Sequence, residues 1–220
     1  MIVPHAGYIY SGPIAASGYA RLLNSPGVYT RVLLLGPAHR VAFSGLAATS
    51  AAAFSTPLGE IPVDQAAILR LAELPQVRIL DDAQRLEHSL EVHLPFLQIT
   101  LGHFSLVPLV VGDASAEDVC QVLELEAPLP GTLLVVSSDL SHYHDYATAV
   151  RIDADTSRQI EALDHLAIGY GQACGRNPVN GLLLYAKRNS LTAETIDLRN
   201  SGDTAGPRDQ VVGYGTYVFN

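Results

Sequence analysis

"VLLLGPAHR", residues 32–40, carries four apolar residues into Gly36-Pro37 and then presents His39. A run that is apolar without in-and-out alternation reads as a strand covered on both faces, and Gly-Pro marks its end. The chain opens in the same manner: in "IVPHAGYIYSG", Ile2 and Val3 lead through Pro4 to His5. A third run, "TLLVVSSDLSHYHD" at 132–145, ends in Asp139, His142, His144 and Asp145.

Outward from these runs, short apolar segments alternate with stretches of helical period, the pattern of strands that cross back through helices into a mostly parallel sheet. Strands are predicted over 1–4, 31–36, 106–111 and 132–137. Helices are predicted over 13–23, 63–74, 114–126 and about 148–168; in the third, Val119, Val122 and Leu123 recur at helical spacing, with Asp113 or Ser115 as an N-cap. Residues 45–63 read as an inserted hairpin around a Pro-Leu-Gly turn. At the C terminus, "AETIDLRN" and "VVGYGTYVFN" read as antiparallel strands on either side of the polar loop "SGDTAGPRD". The expected fold class is α/β, one domain over 1–220.

The segment from His5 to His39 holds a strand end, a helix and the next strand. One such βαβ unit needs ~30 residues or more, and its two parallel strands finish at the same edge of the sheet. Both histidines therefore belong at one rim, and a parallel strand over 132–137 brings Asp139 and His142 there as well. Ligands of open α/β sheets bind beyond the carboxyl ends of the strands, where loops converge and helix N-termini point inward. The rim is thus the expected functional site.

Cys174, in "GQACGRNPVNGLLLYAKR", is expected just ahead of a helix opened by Asn177 and Pro178, whose positive end favours thiolate. Cys120 lies among Val119 and Val122 and reads as core. In "LEHSLEVHLPFLQ", 86–98, Leu90, Leu94 and Leu97 form one stripe, while His88 and Glu91 at i, i+3 either hold a metal or a ligand or belong to a solvated, Ser89-capped helix start. Tyr8 and Tyr10 are expected at the mouth of the pocket.

With 220 residues, 48% hydrophobic, the chain can bury one sizeable core. A formal net charge of -9 opposes nucleic acid and anionic membranes as partners. Two cysteines in a chain of this size do not make a disulfide framework. With no apolar window near ~18 residues and no signal-peptide layout, the expected location is cytoplasmic.

The blocks "VPHAGYIYSG", "LLLGPAH", "STPLGEIPVD", "EHSLEVHLPFLQ", "VVSSDLSHY", "CGRNPVNGLL" and "GYGTYVF" follow one another through nearly the whole chain. In that order they resemble the Memo family, named for a mediator of cell motility in animals, whose prokaryotic members are called AmmeMemoRadiSam system protein B. The resemblance implies a fold similar to class III extradiol dioxygenases, enzymes of non-haem Fe(II). It also implies metal-site positions at His5, His39 and Cys174, with Asp139 and His142 at acid/base positions. Those enzymes hold iron with two histidines and a carboxylate; a thiolate in third place makes Cu(I), Zn(II) or redox-cycling iron or copper as compatible as catecholate cleavage. Family members carry further residues ahead of the "VPHAGY" block, so a short first strand is expected here.

Three readings stand at this point. The leading one is a mononuclear iron, copper or zinc site with Asp139 and His142 beside it, acting on a small molecule or peptide. A second makes Cys174 a metal-free nucleophile. A third is a non-catalytic adaptor whose pocket holds a peptide or small anion, since the animal relatives are described as recognising phosphotyrosine peptides; the acidic balance opposes this unless Arg40 and Arg176 lie by the pocket. The prokaryotic family name implies an AMMECR1-like protein and a radical SAM enzyme as pathway partners.

Overall fold

The computed structural model describes residues 1–24 and 27–220. In chain order the elements are β1 (Ile2–Val3), α1 (Tyr8–Tyr19), β2 (Arg31–Pro37), β3 (Leu46–Ala48), β4 (Ala53–Thr56), β5 (Gly59–Pro62), α2 (Gln65–Leu71), β6 (Val77–Ile79) and α3 (Asp81–Arg85). There follow α4 (Leu94–Leu101), β7 (Ser105–Val111), α5 (Ala116–Glu126), β8 (Thr132–Ser137), β9 (His142–His144), α6 (Tyr146–Glu161), α7 (Arg176–Arg188), β10 (Ala193–Asn200) and β11 (Val211–Phe219).

The central sheet has the order β10-β11-β1-β8-β2-β7-β3-β6, with β9 paired to β11 and β4-β5 forming a separate hairpin. Its middle, β1-β8-β2-β7, is parallel. β11 runs antiparallel to β1 and β10, and β3 antiparallel to β7.

Every residue of β2 is buried, and its neighbours serve opposite layers. Leu33 and Leu35 pack with Val119, Val122, Leu182 and Leu183 of α5 and α7; Val32 and Leu34 pack with Ala15 and Tyr19 of α1 and Leu94 and Leu97 of α4. This is why the run lacks alternation: helices cover both faces. Ser115 caps α5 in a reciprocal box with Asp118, so of the two caps considered Ser115 is the one used.

Four expectations are corrected. Of the segment 45–63, only β4 and β5 form the hairpin; β3 joins the central sheet beside β7. The helix expected from 13 begins at Tyr8, with Gly7 as its N-cap and Pro13 inside. The helix over 148–168 is α6 and stops at Glu161, where Leu163 turns into a left-handed conformation (φ 52°). Residues 86–98 are not one helix: α4 starts only at Leu94, leaving His88 in a turn.

Val3 pairs with Ser137 and Leu35 with Val136, so β1, β2 and β8 end level with one another. Among the described residues no helix is long and apolar enough to cross a membrane.

Candidate metal centre

His5 and His39 each stand two residues beyond a strand end, on β1 and β2, and their rings meet edge to face at 5.2 Å between centroids. His88 stacks on His39 at 4.9 Å and 25° and lies 5.5 Å from His5. One donor nitrogen from each of the three lies within 4.8 Å of the other two. The cluster lines a cavity of about 560 Å³, which Asp139, His142 and Cys174 also line.

Two local features bring His88 to the rim. The first is Gly36: a Cβ there would stand 2.7 Å from Ser89 Oγ and 2.8 Å from Leu90 Cδ2, so only glycine lets the segment after His88 press onto the end of β2. Ser89 Oγ then donates to Pro37 O at 2.8 Å. The second is the buried carboxylate of Glu87, which accepts from His39 N (2.5 Å), His39 Nδ1 (2.9 Å), His88 N (2.9 Å) and Ser89 N (3.0 Å). Burial works to raise its pKa, but these donors outweigh it and hold the group at about 2. A carboxylate on His39 Nδ1 fixes that ring with Nε2 free, the arrangement found behind metal-bound imidazoles.

Behind His5 runs a buried hydrogen-bonded chain: His5 Nδ1 to Ser137 Oγ (2.6 Å), Ser137 Oγ to His93 Nε2 (2.8 Å), and His93 Nδ1 to Tyr19 Oη (3.0 Å). Burial and then the neighbouring His39 push the His5 pKa well below that of a free imidazole, and burial takes His93 down to about 3. Both rings are therefore neutral at physiological pH, as metal ligation requires of His5.

Asp139 is buried and accepts from His5 N (2.8 Å) and Ala6 N (3.2 Å) through Oδ1, tying the loop after β1 to that after β8. Its Oδ2 lies 3.9 Å from His5 Nε2, and burial raises its pKa. His142 Nδ1 contacts Leu140 O at 2.8 Å. A carbonyl only accepts, so Nδ1 carries a proton, and in the neutral ring Nε2 is the acceptor.

Cys174 Sγ sits 3.4 Å from His5 Nε2 and receives the Asp139 N–H at 3.3 Å. Gly175 permits this approach, since a Cβ there would stand 2.6 Å from Ser137 O. The helix entry does not give the expected thiolate: burial, and then the Asp139 carboxylate, push the thiol up to about 12. Nor do Asn177 and Pro178 open the helix; α7 starts at Arg176 with Gly175 as its cap. Cys120 is buried in α5, and both cysteines are free.

Five sequence-selected residues, His5, His39, Asp139, His142 and Cys174, thus line one cavity, and His88 joins them. Glu91 does not accompany His88: it lines a separate groove with Phe54 and Asp81. Tyr8 donates to Val92 O at 3.0 Å and packs on Phe96, and neither it nor Tyr10 is among the residues lining the histidine cavity. Sequence reasoning missed Glu87, Ser137 and His93. Glu87 was one position from a histidine already under scrutiny; the other two carried no signal of spacing.

A family model described as "Memo-like protein" matches residues 1–218. A MEMO1 family protein of Saccharolobus islandicus is 35% identical over 228 residues, covering 97% of this chain and 80% of its own length. One from Sulfolobus acidocaldarius is 33% identical over 97% of this chain. Among solved structures, the uncharacterized protein JW3007 of Escherichia coli K12 superposes with a TM-score of 0.65 over 97% of both chains at 14% identity, a likeness of fold. A family model that matches the chain almost from end to end, and curated relatives about a third identical over nearly all of it, place this protein in the Memo family.

Proposed function

We propose that the rim cluster holds a single transition metal ion, iron or copper with zinc as the alternative, and that the protein is a metal-dependent redox enzyme acting on a small molecule. The observation that carries this reading is the mutual approach of three imidazoles, two of them with Nδ1 already engaged, so that Nε2 of His39 is free and Nε2 of His5 faces the Cys174 thiol. His5, His39 and His88 would hold the ion. Cys174 stands in contact with His5 and would join them only by losing a proton held tightly in the metal-free protein.

A bound ion would supply Lewis acidity toward a substrate oxygen and, for iron or copper, one-electron chemistry. The remaining work falls to the chain. His142, with its Nε2 lone pair, takes a proton from a substrate hydroxyl in the cavity. Asp139 keeps the backbone of His5 and Ala6 in place. The nucleophile reading is weaker, because a thiol raised to about 12 is largely protonated near neutrality.

Elemental analysis of protein purified without chelator tests the proposal. Metal is expected in the wild type and lost from His39→Ala and His88→Ala. Equal metal content in all three would overturn it.

A further inference from the structure

Beside the histidine cavity lies a second chamber of about 240 Å³. Tyr170 and Cys174 line both, so the two spaces adjoin at these side chains. Arg176, the first residue of α7, lines the side chamber. Its guanidinium stands over the Tyr170 ring, Cζ 3.3 Å from the centroid. Its Nε is buried and has no hydrogen-bond partner.

That vacancy is unusual for this chain. Acids outnumber bases 22 to 13, and most of its arginines are satisfied by carboxylates, as Arg31 and Arg70 are by Glu126 and Arg188 by Glu117 and Glu124. Among the described residues Arg176 forms no ion pair; Asp113 also borders the chamber but is exposed and does not pair with it. Arg40, on the wall of the histidine cavity, is likewise unpaired among the described residues. The Arg176 side chain is half-buried with its Nε closed to solvent, so its charge is met neither by a carboxylate nor fully by water, and an oxyanion is its natural complement.

We propose that the side chamber is an oxyanion subsite in which Arg176 takes the carboxylate or phosphate group of a small molecule whose remainder extends past Cys174 into the histidine cavity. The direction in which the molecule extends rests on the metal reading above; the affinity for the anion does not. Arginine suits this role because its planar fork matches the two oxygens of a carboxylate or phosphate. The tyrosine face holds the fork ready before the ligand arrives, which reduces the ordering cost of binding.

The test uses the metal-free full chain and the backbone amide NMR signal of Gly112, which lines the chamber and can be followed in the wild type and in every Arg176 variant. Inorganic phosphate and benzoate are titrated separately. The signal is expected to shift saturably with at least one of them, and the better ligand identifies the source of the anion. Arg176→Gln should weaken that binding about tenfold or more and Arg176→Lys by less. No shift with either anion, or equal binding by wild type, Arg176→Gln and Arg176→Lys, would overturn the proposal. Because no metal is present, failure of the metal reading leaves this outcome untouched, and failure here leaves the metal reading standing.

Discussion

Replacing Ser137 by alanine probes the chain behind His5. For His5 to offer Nε2 to a metal, its Nδ1 must carry the proton and donate to Ser137 Oγ. The serine hydroxyl then donates to His93 Nε2, and His93 Nδ1–H donates to the Tyr19 oxygen, so one choice of tautomer at the rim sets every proton back to α1. Ser137, His93 and His5 are 0%, 0% and 2% exposed, so water does not readily replace the lost hydroxyl. Ser137→Ala removes one partner from each of two buried rings, at about 1–3 kcal/mol per unsatisfied group, or roughly 2–6 kcal/mol in all. Metal affinity should fall by about 10- to 100-fold, since the His5 ring loses the group that fixes its tautomer. Urea unfolding of the metal-free protein reads the first effect, and titration against a competing chelator reads the second. Stability within about 0.5 kcal/mol of wild type together with unchanged metal affinity would refute the reasoning.

Glu87→Gln places an amide opposite the N–H groups that the carboxylate now accepts, and should lower metal affinity about 10- to 100-fold in the same chelator titration. His93, neutral in the fold with a pKa of about 3 against 6.5 when unfolded, contributes stability that is fully present above 6.5 and is lost as the pH falls from there toward 3. Over that window the wild type should lose up to about 1.4 kcal/mol per pH unit more than His93→Gln; equal slopes in unfolding measured across it would count against the assignment. Gly36→Ala drives a Cβ into Ser89 and Leu90, and should cost about 1–3 kcal/mol in urea unfolding and reduce bound metal by displacing His88. Glu126→Ala serves as the remote control: it takes one carboxylate from Arg31, which keeps Asp64, and the partner of the half-exposed Arg70, and should cost about 1–3 kcal/mol, yet the metal content of the folded fraction should match wild type.

The parts of this molecule that were legible in its sequence are those governed by period and punctuation. The apolar runs of β2, β7 and β8 have no alternation because helices cover both faces, and Gly-Pro marks the end of β2 as plainly as Pro4 follows β1. The βαβ rule then carried His5, His39 and Asp139 to one edge, where the strands do end level. His88 was visible as a residue, but its apparent helical partnership with Glu91 was an accident of spacing. The segment is held instead by tertiary contacts, Glu87 on His39 and Ser89 on Pro37 at a glycine that leaves room for them. Ser137 and His93 lie far apart in sequence, and only packing shows that one hydroxyl bridges two rings. The protonated state of Cys174 was misjudged because the helix dipole is a local signal, whereas desolvation depends on everything folded over the thiol.

The most direct test is an anomalous-difference map from crystals of metal-loaded protein, collected at the absorption edge of the element found by elemental analysis. The account predicts a single peak among the side chains of His5, His39 and His88. A peak elsewhere in the chain, or none from protein that elemental analysis shows to be loaded, would contradict it.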